Sequence, residues 1–549
     1  MGTICDIFSV GKRNQAIRGN ITMMLFNARP EVSEICNLYN VSVNGIKVDA
    51  ISARVSAMPF NRLWPGHQRP LEQTEEAAYI YISTDEKCLD FNVSTAADFC
   101  EVTIRPLSAG ITPSISGGEI HFTVSKHGYY TLELDGPHNA LHIFVDPIHD
   151  FRLPDNPEEI CYFGPGVHHV GEMRLESGST VYIHRDAVVY GAFLAVNAEN
   201  IRILGEGVLD GGFYERTTEA FLLAYDYARV PDASWEKKQM KNIVDGTADC
   251  FTDIESYQRG SGTFIYRDDE QFDKLLRIMQ PVKTGLSFYA CKNIEITGII
   301  LRNCAGLSMT QAGCENIHYK NVKLIGNWRY NSDGIDFYNC RHCTVRQCFL
   351  RSFDDTVCVK GQIGWDTMAS SDILVEECVL WNDWGHTFDI GVDTVAPEMK
   401  NIVFRNCDLI HNTTAVIDVG NCDRADIHGV LFEDLRIEFS KHDVKPIFQS
   451  ADDVKFIPQK QSATLIDMFL GCGMWSVDNL YGKISDVVFR NISIFSDCDF
   501  KPVLRIKGND GEHDVKNVSI ANVTFNGKHL KTLDAFDIKT NEFASFEIL

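Results

Sequence analysis

From residue 293 onward apolar and polar residues alternate in short runs, and the runs are variations on one phrase. A polar residue is followed by an alternating strand, then by Asn or an acidic residue, often before Cys. The copies are NIEITGIILRNC (293–304), NIHYKNVKLIGN (316–327), CTVRQCFLRS (343–352), ILVEECVLWND (373–383), NIVFRNCDLIHN (401–412), GVLFEDLRIEF (429–439), DVVFRNISIFS (486–496) and NVSIANVTFNG (517–527). Alternation with a period of two predicts half-buried β-strands. Ile294, Ile317, Val345, Val375, Val403 and Leu431 mark the repeat at spacings of 23, 28, 30, 28 and 28 residues. Short β-runs recurring at that distance predict the coils of a solenoid. Leucine-rich repeats need a leucine spacing and a helical half that are absent, and a propeller blade needs roughly 40–45 residues. The expected fold is therefore all-β, a right-handed parallel β-helix.

A ladder of turn residues supports this reading: Asn303, Asn321, Gln347, Glu377, Asn406, Glu433, Asn491 and Asn522 fall at one place in the phrase. Stacked amides there would satisfy backbone groups of successive coils. Earlier coils are visible in TVYIHRDAVVYGAF (180–193) and NIRILGEGVLDG (200–211), so the solenoid begins near residue 160. Two segments interrupt the period: 213–280, charged and helix-compatible, and 441–480. Insertions of this length are expected to wall a groove on one face, giving a closed pocket and exo action. Residues 1–155 lack the repeat and carry strands such as ITMMLF, AYIYIS, CEVTIRPL, EIHFTV and ALHIFV between Gly, Pro and Asn, which suits a β-sandwich. Pro147, Pro154 and Pro157 mark its junction with the β-helix of residues 156–549.

Composition narrows the partners. The 549 residues carry a net charge of −24, a field that repels phosphate backbones and anionic lipids. No run approaches the ~20 apolar residues of a membrane span. The expected partner is a carbohydrate substrate, not nucleic acid or membrane, with a homo-oligomer left open. The 18 cysteines are spread along the strands, and Cys304, Cys348, Cys378 and Cys407 end similar tripeptides, so reduced buried thiols are expected. Cys340 and Cys343 have no second C-x-x-C to complete a zinc site. The first residues, MGTICDIFSVGKRNQAIRGN, show no basic region followed by an apolar one, and a cytoplasmic location is expected.

Acidic residues gathered on neighbouring coils need an explanation, because like charges side by side cost energy. NSDGID (331–336) carries Asp333 and Asp336, FDDTVCVKG (353–361) carries Asp354 and Asp355, and WNDWGHTFDIGVD (381–393) carries Asp383, His386, Asp389 and Asp393. Asp333 and Asp355 are 22 residues apart, Asp355 and His386 31, each near one coil, so these side chains can stack on one face. Paired carboxylates suit glycoside hydrolysis, in which one protonated acid serves the leaving oxygen and an ionised partner activates water. A single Asp in a β-helix more often satisfies turn amides; a pair flanked by another Asp and a His at coil spacing does not fit that role. Asp389 and Asp418, in the matching phrases F-D-I-G and I-D-V-G, should stack one coil apart. With Asn331, Lys360, Trp381 and Trp384 they form the candidate substrate-binding set; Trp328 and Tyr330 flank the same motifs.

N-S-D-G-I-D, F-D-D-T-V-C-V-K-G and G-H-T together resemble the N-T-D, D-D and G-H-G signature of polygalacturonases, glycoside hydrolase family 28. The segments YFGPGVHHVGEMRLESGSTVYIHRDAVVYGAF (162–193) and ILGEGVLDGGFY (203–214) are similar to the first coils of that family and of the family 49 dextranases and isopullulanases. A sandwich ahead of the helix is more like family 49. The resemblance covers residues 160–410. It implies catalysis by Asp333, Asp354, Asp355 and His386: Asp354 as general acid, Asp333 and Asp355 holding and deprotonating the water, His386 orienting the acid, and inversion at the anomeric carbon. No cofactor and no metal are implied. Two departures stand out. G-H-T replaces G-H-G, and the R-I-K run that grips galacturonate is not found a few tens of residues after His386. L-R-I-K-G at Leu504–Gly508 lies 119 residues beyond it, about four coils at the repeat length, and reads as an exposed strand. A neutral glycan is thus as consistent as galacturonan. The rival readings are a β-helix polysaccharide lyase, with Ca²⁺ on the carboxylates and Lys360 as base, and a non-catalytic glycan-binding fibre.

Overall fold

The computed structural model describes residues 35–57, 71, 74–212, 285–329, 331–362, 364–443, 464–471, 476, 478 and 480–549, and the backbone alone of Met23–Phe26, Ile447–Gln449 and Phe456–Pro458. Tyr330, all of the 213–280 insertion and much of the 441–480 insertion lie outside the described residues.

From Ile160 onward one parallel sheet of 30 strands winds as a right-handed β-helix. Each coil contributes to three stacks. The first contains Met309–Ala312, Ile335–Tyr338, Val357–Gly361, His386–Thr394, Ala415–Asn421, Thr464–Leu470 and Val503–Lys507. The second contains Lys292–Thr297, Glu315–Lys320, Arg341–Arg346, Ser370–Glu376, Glu398–Arg405 and Asp426–Phe439. The third contains Ile300–Arg302, Lys323–Ile325, Phe349–Ser352, Val379–Asn382 and Asp408–His411. Inward residues fill a continuous apolar column, including Ile294, Ile317, Phe337, Val359, Phe388, Phe404, Phe432 and Phe489. Cys304, Cys348, Cys378 and Cys407 are free thiols within this column.

The register differs from the spacing read in the sequence. Ile294 faces Ile317, but Tyr319 faces Val345, which sets Cys343 beside Ile317. Ile373, Ile402 and Val430 continue the inward row. Val403 and Leu431 are half-buried neighbours on the opposite face, because a slip of one residue reverses a strand's faces. Coil turns that vary in length cause the slip.

Asn303, Asn321, Gln347, Glu377, Asn406, Asn491 and Asn522 all adopt the left-handed conformation, where Asn is tolerated better than most residues. Glu433 does not; its neighbour Asp434 takes the position, with φ 54°. Direct side-chain stacking in this ladder runs from Asn522 to Asn491 and from Asn491 to Asp434, each at 2.8 Å. The turn before the second stack carries another left-handed ladder, in which Asn316 donates to Asn293 at 2.7 Å and Asn293 to Asn200 at 3.0 Å.

The N-terminal region forms two antiparallel-rich sheets packed face to face around Val41, Val43, Ile80, Phe91, Phe122 and Ile143. The larger sheet is buried on both sides, since Ile51, Tyr79, Tyr81 and Phe144 pack on Ile300, Ile325, Phe349 and Val379 of the third stack. This is why the centre of Thr74–Thr84, Ala77 to Ile82, reads as a continuous apolar run instead of alternating. Lys323, fully buried at this contact, donates to Asp146 of the sandwich at 2.6 Å. The sandwich thus covers the third stack and leaves the first stack, with its turns, for chemistry.

Candidate active site

The site is built on the turns that lead from the third stack into the first. Ile335, Val357 and Phe388 are register partners on successive coils. Two residues earlier on each strand stand Asp333, Asp355 and His386, so the three side chains form one vertical row. The Asp355 carboxylate accepts the backbone N–H of His386 at 2.8 Å, and its Oδ1 lies 2.9 Å from His386 Nδ1 as an ion pair. Lys360, outward on the next strand, donates to Asp333 Oδ2 at 3.1 Å and to Asp336 Oδ1 at 3.0 Å, and lies 3.8 Å from Asp355 Oδ2. Asp354 sits beside the row and accepts the Asp355 N–H on Oδ1 at 3.1 Å.

Buried amides and hydroxyls fix the turn. Asn382 donates to the carbonyls of Asp354 at 2.8 Å and His386 at 3.1 Å. Ser352 donates to the Asp354 carbonyl at 2.7 Å, and Thr413 donates to Asn382 Oδ1 at 2.9 Å. Gly385 is needed by close approach: a Cβ there would stand 2.6 Å from Asp355 Oδ1 and 2.7 Å from Asp354 Oδ1.

The adjacent aspartates separate in ionisation. Burial and the charge of Asp355 push Asp354 up to about 7. Burial would also raise Asp355, but the His386 charge, their hydrogen-bonding contact and Lys360 outweigh it and bring Asp355 down to about 2. His386 is desolvated, yet Asp418 and Asp355 raise it to about 10. Asp333 is pushed well above the ordinary carboxylate range by burial and the Asp336 charge. Burial would lower Lys360, but the carboxylates around it hold it well above its usual value.

Beyond the row, an outward line runs down the first stack through the register partners Thr310, Asp336, Cys358, Asp389, Asp418, Asp467 and Arg505. Asp389 and Asp418 are the direct neighbours the phrases predict. Arg505 Nε donates to Asp467 at 2.6 Å, and the line runs on to Lys539. Arg505 stands three coils beyond His386, not about four, because the insertion after Asn421 lengthens one coil.

Trp381 does not join the site. It is 1 % exposed and points to the sandwich, its ring tilted against His411 with centroids 4.0 Å apart and under the Arg351 guanidinium at 4.0 Å. Its indole and Arg351 hold Asp383, which is likewise removed from the row. Trp384, half-buried, stacks on Phe353 beside the Asp354 turn at 5.6 Å. Asn331 sits two residues before Asp333 in a left-handed turn. Asp393, half-buried, is raised to about 6 by burial against the pull of Lys360. Sequence reasoning left Asp467, Thr310 and the clamp Asn382 unassigned; a signal for Asp467 existed in L-I-D-M, a further copy of the V-I-D-V phrase.

Two groups among the described residues bring three donor atoms within 4.8 Å of one another: Asp333, Asp355 and Cys358, and His386, Asp389 and Asp418. Neither is the all-oxygen set Ca²⁺ prefers. A Lys360 ammonium held protonated by its carboxylates is also a poor base. Both points weigh against the lyase reading.

Over part of its length the chain is similar to polygalacturonases. The sequence model of glycosyl hydrolases family 28 matches residues 260–464, a stretch that holds Asp333, Asp354, Asp355 and His386. An exopolygalacturonase of Arabidopsis thaliana (clone GBGE184) is 24 % identical over 189 residues, 34 % of this chain and 43 % of that protein. The polygalacturonase QRT2 of the same plant is 23 % identical over 195 residues, 34 % of this chain and 42 % of its own length. The chain thus spans less than half the length of these curated relatives. In fold it is similar to Dex49A from Penicillium minioluteum, with a TM-score of 0.54 at 13 % identity, covering 95 % of this chain and 96 % of that one. That likeness extends through the N-terminal sandwich. No helix among the described residues is long and apolar enough to cross a membrane.

Proposed function

We propose that the protein is a glycoside hydrolase that cleaves its carbohydrate substrate with inversion, using Asp354 as general acid and Asp355 with Asp333 to hold and activate water. The observation that carries this reading is the divided ionisation of two adjacent residues, Asp354 raised to about 7 and Asp355 lowered to about 2. Near neutral pH one keeps a proton to give and the other keeps a charge that can take one. Asp333, on the coil below Asp355 and well raised, binds the water while Asp355 supplies the negative charge. His386 does not transfer the proton; its imidazolium keeps Asp355 ionised and its backbone N–H fixes the carboxylate. Inversion needs room for a water between acid and base, and Asp333, one coil away from the Asp354–Asp355 turn, is the carboxyl set back from the acid.

The test follows the product as it forms. A panel of pectic, glucan and galactan oligosaccharides should contain a member from which new reducing ends are released without chelator sensitivity. By NMR its first product should carry the inverted anomeric configuration. Retention, or an unsaturated ultraviolet-absorbing product, overturns the proposal.

A further inference from the structure

We propose that Asp389 and Asp418, next to the His386 row, form a subsite for the hydroxyls of a neutral sugar and that this subsite turns uronates away. The inference rests on the hydrolase reading and names its substrate class.

Each of these side chains is 1 % exposed, and each keeps a carboxylate oxygen, Oδ1 of Asp389 and Oδ2 of Asp418, with no hydrogen-bond partner. The same outward line holds two further buried atoms without one, Thr310 Oγ1 and Asp336 Oδ2. A buried polar atom left unpaired costs about 1–3 kcal/mol, so four along one register line mark a place where a ligand completes the bonding. The unpaired atoms fall in two pairs of adjacent coils ~4.8 Å apart, Thr310 with Asp336 and Asp389 with Asp418, on either side of Cys358.

Charge selects the ligand. A sugar carboxylate on this line would meet Asp389 and Asp418, and would need a cation to compensate. The cations nearest these two carboxylates are already engaged: Lys360 by Asp333 and Asp336, His386 by Asp355, and Arg505 by Asp467. A cationic sugar or a divalent ion would instead sit against the His386 imidazolium, which is within 4.8 Å of both carboxylates. Burial and neighbouring charge hold Asp389 well above and Asp418 above the ordinary range, so in this stacked pair one carboxyl keeps a proton to donate to a hydroxyl while the other keeps the charge a uronate would meet. Neutral hydroxyls satisfy the unpaired oxygens without adding charge.

The experiment compares matched probes that differ only in charge: oligogalacturonate, its fully methyl-esterified form and the corresponding neutral oligogalactoside. Each is titrated by NMR against the wild-type protein and the Asp389→Asn and Asp418→Asn variants, with turnover read in parallel. Wild type should bind both uncharged probes at least about tenfold more tightly than oligogalacturonate, the equivalent of one charge-assisted hydrogen bond. In each Asn variant that ratio should fall several-fold, with the melting temperature showing that the variant is folded. Equal or tighter binding of oligogalacturonate by wild type overturns the subsite, as does a ratio unchanged in both variants. So does tight Ca²⁺ or Zn²⁺ binding that Asp418→Asn removes. Binding with this preference but without turnover would sink the hydrolase reading and leave the subsite standing.

Discussion

Asp355 and His386 stand one coil apart and are joined twice, through the His386 backbone N–H at 2.8 Å and through Nδ1 at 2.9 Å from the same carboxylate oxygen. The double contact ties the orientation of the carboxylate to the backbone of the next coil and places a positive charge against it. Without that partner, burial would push Asp355 up as it pushes Asp354, and two neighbouring acids would compete for one proton. The His, together with Lys360, thus helps to separate the two roles.

Substitution should reveal the division. Asp354→Asn preserves shape but removes the transferable proton, and should lower kcat by at least about 10²-fold. A substrate whose leaving group needs no protonation should restore much of that loss. Asp355→Asn and Asp333→Asn should each cost at least about 10²-fold with no rescue by the same substrate. His386→Ala should cost less, since it supports a charge and moves no proton. Near-normal activity in Asp354→Asn would move the acid elsewhere on the row.

The pH dependence has a definite sign. Asp354 acts protonated, so kcat/KM should decline as pH rises through about 7, where burial and Asp355 place it. Asp355 acts ionised and, at about 2, stays charged throughout the working range, so it sets no neutral limb. In Asp354→Asn, assayed with the activated substrate, the alkaline decline should disappear. A decline that persists unchanged would assign it to another group.

The solenoid was legible because its phrase alternates with a period of two and returns with Asn at a turn that demands a left-handed residue. Register was less so. Ile402 and Val430 lie inward where Val403 and Leu431 mark the written repeat, since coil length varies and one extra turn residue reverses a face, while Val345 is inward but stands beside Tyr319, with Cys343 beside Ile317. The row of Asp333, Asp355 and His386 could be read because its spacings approximate whole coils. Asp467 could not, because the insertion before it breaks the count, although register places it directly on Asp418. Trp381 resembles a sugar platform in sequence, yet a sandwich more than 200 residues earlier in the chain buries it through His142. No local pattern carries that contact.

Gly385 offers a test of how closely the catalytic turn must be held. Its missing Cβ makes room for both aspartates: an added carbon would stand 2.6 Å from the Asp355 nitrogen and Oδ1, and 2.7 Å from Asp354 Oδ1. Real side-chain carbons do not come that near, so Gly385→Ala must displace the Asp354–Asp355 turn or the strand that carries His386. Neighbouring bonds resist the second course, because Asn382 and Thr413 pin this turn from two coils. The carboxylates should move instead, by less than the width of an atom. A displacement of about 1 Å at reacting groups costs roughly 10²-fold in rate. The expected result is a kcat reduced by about that factor with KM little changed, since the Asp389–Asp418 line is untouched. The apolar column is also untouched, so the melting temperature should fall by only a few degrees. Because both acid and base are displaced, an activated leaving group should rescue Gly385→Ala less than it rescues Asp354→Asn. Wild-type kcat in Gly385→Ala would show that the two aspartates do not act from the positions described.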